Sequence, residues 1–213
     1  HLTALGIFLK ELGPDHPRLA ELHSNIGNCY ADKKEPGQAE TYYKKALNIF
    51  QKAYPEGHPA IAQAYNNLGY VFLEQQKYRE ALALFQDAEK SLLQFPADPE
   101  RDARIAIAIK NKGLARAGLG QWQPALSDCK RALESLNHAD LTTALELLSG
   151  QATVLKKYAL VRQDWSELRS AATAYTRALG CLDSLRMQMT SSDTRLQWVT
   201  RKYSVLSEAL EAN

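Results

Sequence analysis

A segment of this chain recurs within it. "ALGIFLKELGPDHP" at 4–17 overlays "ALNIFQKAYPEGHP" at 46–59 with an offset of 42 residues. Ala4 falls on Ala46, Leu5 on Leu47, Ile7 on Ile49, Phe8 on Phe50, and His16-Pro17 on His58-Pro59. The same offset carries Ala39 to Ala81, Tyr43 to Phe85 and Ala46 to Ala88. An offset of 44 then carries Tyr78 to Trp122, Ala81 to Ala125, Phe85 to Cys129 and Ala88 to Ala132. Self-similarity at such a period means a stack of small units, none of which can bury its apolar face alone.

Each unit reads as two helices. Residues 61, 64, 65, 68, 71 and 72 form one apolar stripe at helical spacing, and residues 78, 81, 82, 85 and 88 form another. The short polar "EQQK" between them turns one helix back on the other. Pro17, Pro59 and Pro99 stand where a helix begins, and Pro36 and Pro124 fit the opening turn of a second helix. There the missing N–H costs nothing and the fixed φ helps. Gly27, Gly69 and Gly113 lie inside the first helix of each unit. Glycine costs roughly 1 kcal/mol there relative to alanine, so its recurrence at one place predicts close approach of another helix. Ala39, Ala81 and Ala125 read the same way, and Tyr78, Phe85 and Trp122 fill the space between helices.

A first helix with an Asn-x-Gly core (Asn25-Ile26-Gly27, Asn67-Leu68-Gly69, Asn111-Lys112-Gly113) and a second with Tyr/Trp-x-x-Ala resembles the tetratricopeptide repeat. The usual period is about 34 residues. The longer spacing here, with "GPDHP" and "NNLG", looks like the kinesin-light-chain type. The resemblance implies an all-α fold, a right-handed superhelical solenoid of antiparallel helix pairs whose concave wall is made by the first helices. It divides the chain into 1–12, the second half of a truncated repeat; 13–137, three units; 138–187, a divergent fourth helical pair; and 188–213, a C-terminal capping helix or a lead-in to a further domain.

In the fourth pair, helices are expected over 139–162 and 165–187. Ala171, Tyr175 and Ala178 keep the small, aromatic, small spacing, but Trp165 falls three residues early and no Asn-x-Gly appears. Either the second helix is extended or the pairing is altered. The last stretch carries an apolar stripe at Leu196, Val199, Tyr203, Leu206 and Leu210. It fits a cap, and it also resembles the helical lead-in before the caspase-like CHAT domain of some tetratricopeptide proteins.

Charge excludes one class of partner. With 26 basic and 24 acidic residues the net charge is +2, a poor match for a nucleic-acid binder, which needs a concentrated basic face. No apolar stretch approaches the roughly 20 residues that cross a bilayer. Cys29, Cys129 and Cys181 are odd in number and far apart, without metal-ligand spacing. This predicts a reducing, cytoplasmic setting. The chain opens on His1, in mid-pattern, and reads as a piece of a longer protein.

The resemblance places Asn25, Asn67 and Asn111 on the groove wall, one per repeat. An amide carries a donor and an acceptor, so such a ladder can bond the backbone of an extended peptide whatever its sequence. The bland alternative is that these amides fix the stacking of adjacent helices; both readings stand at this point. Specificity would come from Asn28, Gln63, Asn66, Tyr70 and Lys110, with Glu21, Ser24, Glu74 and Leu114 alongside. The Lys/Asn/Arg clamp by which some relatives grip a chaperone's terminal carboxylate is incomplete. Asn28 and Lys110 fit it, but Glu21, Ser24, Gln63 and Asn67 stand where cations would help.

Other residues read as structural. Cys129 stands where Tyr43 and Phe85 stand, and Cys29 where Val71 and Ala115 stand, so both are expected as core fillers. Cys181 lacks the setting of a nucleophile, and His16 and His58 suit helix caps. Arg116 replaces Tyr30 and Phe72, and either reaches solvent along its stem or pairs with an acid of the fourth unit. No HExxH, P-loop or dinucleotide motif is present, so no catalytic residue, metal or cofactor is expected. The expected function is a non-catalytic scaffold for a protein or peptide partner, with no nucleic acid and no membrane, and with self-association through solenoid ends a further route. The CHAT likeness implies the alternative of a sensor arm in a larger protease.

Overall fold

The computed structural model describes residues 12–135, 141–163 and 165–188. Described helices fall in two compact units, His1–Pro96 and Ala97–Asn213. The expected half repeat before residue 12 and the expected cap or lead-in after residue 188 lie outside the described residues. So do the side chains of Trp165, Tyr175 and Cys181.

The first unit holds α1 (Pro17–Asp32), α2 (Pro36–Ala53), α3 (Pro59–Glu74) and α4 (Tyr78–Leu92). Helix α1 pairs with α2, α3 with α4, and α3 also packs on α2. The starts are encoded as expected. Pro17, Pro36 and Pro59 occupy the first turns, and the imidazoles of His16 and His58 cap α1 and α3 by accepting from the backbone N–H of Arg18 and Ala60. The turn inside each pair uses a left-handed residue at the same repeat position, Lys34 and Gln76. It is closed by bonds from the N–H of Glu35 to the carbonyl of Tyr30 and from Lys77 to Phe72.

Small residues let the helices meet. A Cβ placed on Gly27 would stand 2.7 Å from the ring of Tyr43, and one on Gly69 would stand 2.7 Å from the ring of Phe85. Ala39 and Ala81 are fully buried. The two pairs are then sewn together by Leu68 and Val71 against Ala39 and Tyr43, with Phe72 and Leu84 packed alongside. Cys29 proves exposed rather than a core filler, whereas Val71 at the equivalent position is buried against Ala39 and Tyr43 of the preceding pair.

A polar tie reinforces the stacking. Glu40 of α2 accepts from Lys44 at 2.6 Å and from Gln75 at 3.2 Å, and lies 3.7 Å from Lys77. Burial alone would raise its carboxyl, but the hydrogen bonds from Lys44 and Gln75 and the charges of Lys44 and Lys77 hold it below the usual 4.5. A depressed carboxyl stabilises the fold fully above its unfolded-state value, and that gain disappears as pH falls through the lower folded-state value. Glu40→Gln should therefore lower the urea midpoint at about pH 6 and lower it by less at about pH 3, since the gain fades as pH falls through the carboxyl's folded-state value. An equal gap at both pH values would contradict the tie.

The second unit holds α5 (Pro99–Gly118), α6 (Trp122–Glu134), α7 (Leu141–Arg162) and α8 (Trp165–Gln188). Asp98 caps α5 by accepting from the N–H of Arg101, and Pro124 sits in the opening turn of α6. Gly120 supplies the left-handed turn residue with φ of 73°. The α5–α6 and α7–α8 pairs are present, but stacking differs from the first unit: α7 packs on both α5 and α6. The second helix of the fourth pair starts at Trp165 and runs 24 residues, against 15 in α4 and 13 in α6, so the extended second helix, one of the two expected alternatives, is what the fourth pair shows. Its core joins Leu145, Leu148, Ala152 and Leu155 to Ala171, Ala174 and Ala178.

Candidate functional site

The outward stripes of α1 and α3 are equivalent by the 42-residue offset. Along α1 run Glu21, Asn25, Asn28 and Asp32, all exposed. Along α3 run Gln63, Asn67, Tyr70 and Glu74 at the same turns, with Asn67 half-buried and the rest exposed. Their spacing of four, three and four residues keeps each set on one helix face. Gln63 donates to the Asn67 carbonyl oxygen at 2.8 Å. That bond orients the Asn67 amide and leaves its N–H₂ and one acceptor lone pair to the outside. Asn66 is half-buried beside it. Lys34 reaches Glu74 at 3.4 Å.

Asn28 has a second task. Its side-chain oxygen accepts from the Tyr43 hydroxyl at 2.6 Å. Burial, with the charges of Asp32, Glu74 and Cys29 behind it, pushes the Tyr43 phenol up to about 12, so it remains the donor. The sequence shows why the amide is local. Where Tyr43 becomes Phe85 the hydroxyl is gone, and Asn28 becomes Tyr70. Where it becomes Cys129, the position becomes Leu114.

The third rung of the expected ladder is closed. Asn111 is 2% exposed and Lys110 5% exposed, so neither is available to a peptide in this structure. The stripe that is polar on α1 and α3 reads Ile107, Asn111, Leu114 and Gly118 on α5. Leu114 packs with Val154 of α7 against Ala117, Ala125 and Cys129. The Lys110 stem lies across Gly150, where a Cβ would come within 2.5 Å of it, and its ammonium pairs with Glu146 at 2.8 Å. Lys110 therefore holds α7 on α5, and no carboxylate clamp forms around it.

Arg116 is also corrected. It neither simply reaches solvent nor pairs with the fourth unit; it bonds Asp128 of α6, its own pair, at 2.6 Å. Lys112 stands 3.8 Å from the same carboxylate. Burial raises the Asp128 carboxyl, and the charges of Lys112, Arg116 and Arg131 oppose that rise. Sequence reading missed this cluster although its signal was present. Lys112, Arg116 and Asp128 occupy the repeat positions of Leu68, Phe72 and Leu84, an apolar trio in the first unit. Burial pushes the Cys129 thiol up to about 12, which makes it a packing group. Among the described residues, no group of three or more His, Cys, Asp or Glu could hold a metal, and no helix is long and apolar enough to cross a membrane.

Comparison with known proteins agrees with this geometry. The tetratricopeptide-repeat family model matches residues 1–52 and 19–94. Among solved structures, BtubC (BKLC) from P. vanneervenii superposes with a TM-score of 0.65 at 19% identity, over 89% of this chain and 73% of that one. The nearly identical repeats of a putative kinesin light chain from Podosopora anserina superpose with a TM-score of 0.61 at 14% identity, over 82% of this chain and 83% of that one. At such identities the likeness is one of fold. No curated protein sequence matches the chain. Residues 1–94 match the tetratricopeptide-repeat family model, and the described helices share the paired-helix fold of these kinesin-light-chain-like structures.

Proposed function

We propose that the first unit is a non-catalytic docking platform on which the stripes of α1 and α3 hold an extended segment of a partner protein. The supporting observation is the shared register. Asn25 and Asn67 stand at one position on successive first helices, one exposed and one half-buried and held ready by Gln63. Donor and acceptor on each amide suit a peptide main chain. Tyr70, 45% exposed, offers the stripe its large apolar contact. Asn111 and Lys110 take no part, because α7 covers their helix.

The test uses a peptide selected from a display library against the whole chain. Asn67→Ala should weaken it about tenfold, the loss of about 1.4 kcal/mol expected for one or two uncharged hydrogen bonds. Asn25→Ala should weaken it to a similar degree, and neither change should move the melting temperature by more than a degree or two. Unchanged affinity together with a large loss of thermal stability would instead assign the amides to helix stacking.

A further inference from the structure

A second cleft lies on a different face of α3, wholly within the first unit. It has a volume of about 440 Å³ and runs between the end of α2, the loop that follows it, the start of α3 and the last turns of α4. That volume falls at the small end of the roughly 300–1,000 Å³ typical of ligand sites. One wall carries Gln51 and Tyr65; the other carries Asp87, Lys90, Ser91 and Gln94.

The polar groups on the two walls are prepared differently. Gln51 donates to the Tyr65 hydroxyl oxygen at 2.9 Å, which leaves the phenolic hydrogen as a donor and the Gln51 carbonyl as an acceptor. The opposite wall is uncommitted. Asp87, Lys90 and Gln94 carry no ion pair or side-chain hydrogen bond among the described residues. Ser91 is 9% exposed, lines the cleft, and likewise has no side-chain hydrogen bond among the described residues. Its hydroxyl can donate to and accept from an entering polar group. Gly57, with φ of 92°, takes the left-handed conformation in the loop that lines this cleft.

The charges select the ligand. Asp87 and Lys90 are one helical turn apart, so their side chains start about 5–6 Å from each other. A ligand that satisfies both must present a cation and an anion within one residue's breadth. A peptide interior has neither on its backbone, and a chain terminus has only one. We propose that this cleft binds a free amino acid as its zwitterion, with the ammonium on Asp87 and the carboxylate on Lys90. Gln51, Tyr65, Ser91 and Gln94 supply neutral donors and acceptors around it. This site is independent of the peptide platform.

L-Glutamine is a suitable probe, titrated into the 213-residue chain while the side-chain amide signals of Gln51 and Gln94 are followed by NMR. Saturable shifts are expected. N-Acetylglutamine and glutamine α-amide each lack one of the two charges and should bind at least about tenfold more weakly, as should glutamine to Asp87→Asn and Lys90→Met. Both variant positions are exposed, so the fold should be retained. Absence of a saturable response to glutamine would overturn the proposal. Equal binding of either singly charged analogue would do so too, as would preference for an end-blocked mixed-charge peptide.

Discussion

Asp128→Ala is expected to destabilise the chain by about 3–5 kcal/mol, the usual cost of removing one partner from a buried charge cluster. The Asp128 side chain is 3% exposed and that of Lys112 is 7% exposed. Without the carboxylate, Lys112 and Arg116 lose the anion they share at 3.8 Å and 2.6 Å. Urea unfolding would measure the loss. The cluster is not thereby a net source of stability, because three charges are taken out of water to form it. A triple variant separates the two ideas. Lys112→Leu, Arg116→Phe and Asp128→Leu together restore the apolar trio that the first unit carries as Leu68, Phe72 and Leu84. That variant should be as stable as the parent or more so, although Asp128→Ala alone is damaging. A triple variant no better than the single one would mean that the site tolerates only an ionic filling.

Gly69→Leu should cost about 3 kcal/mol, at the upper end of the range for overpacking. Even the first atom of the new side chain would lie 2.7 Å from Cε1 of Phe85, a residue with no exposed surface. Ala81 and Ala88 on the same helix are fully buried as well, so the ring lies in packed surroundings. Combining Gly69→Ala with Phe85→Leu should cost less than the sum of the two changes, because the smaller side chain vacates the space the methyl needs. Strict additivity would mean that the ring is not what the glycine accommodates.

The repeat made most of the fold legible. Glycine, alanine and aromatic residues recur at fixed positions, and each marks a place where backbone geometry permits few side chains. Gly27 against Tyr43 and Gly69 against Phe85 could therefore be anticipated from spacing alone. Burial that depends on a neighbouring pair was harder to read. Cys29 matches Val71 in register, yet one is exposed and the other is buried against Ala39 and Tyr43 of the preceding pair. Asn111 matches Asn67 in the same way, and its burial goes with α7 packing on α5. The clue lay in the residues around it: Ile107, Leu114 and Gly118 replace the polar companions of Asn67. The charge cluster escaped notice because Lys112, Arg116 and Asp128 are spread over two helices, and only superposing both helices on the previous repeat shows three apolar positions turning ionic together.

The proposed platform requires a bound partner segment to lie along the α1 and α3 stripes. NMR of the chain saturated with its selected peptide reports this directly through the side-chain amide signals of its asparagines and glutamines. Asn25, Gln63 and Asn67 should shift while Asn111 stays in place. Shifts confined to residues off those stripes, with Asn25 and Asn67 unmoved, would contradict it.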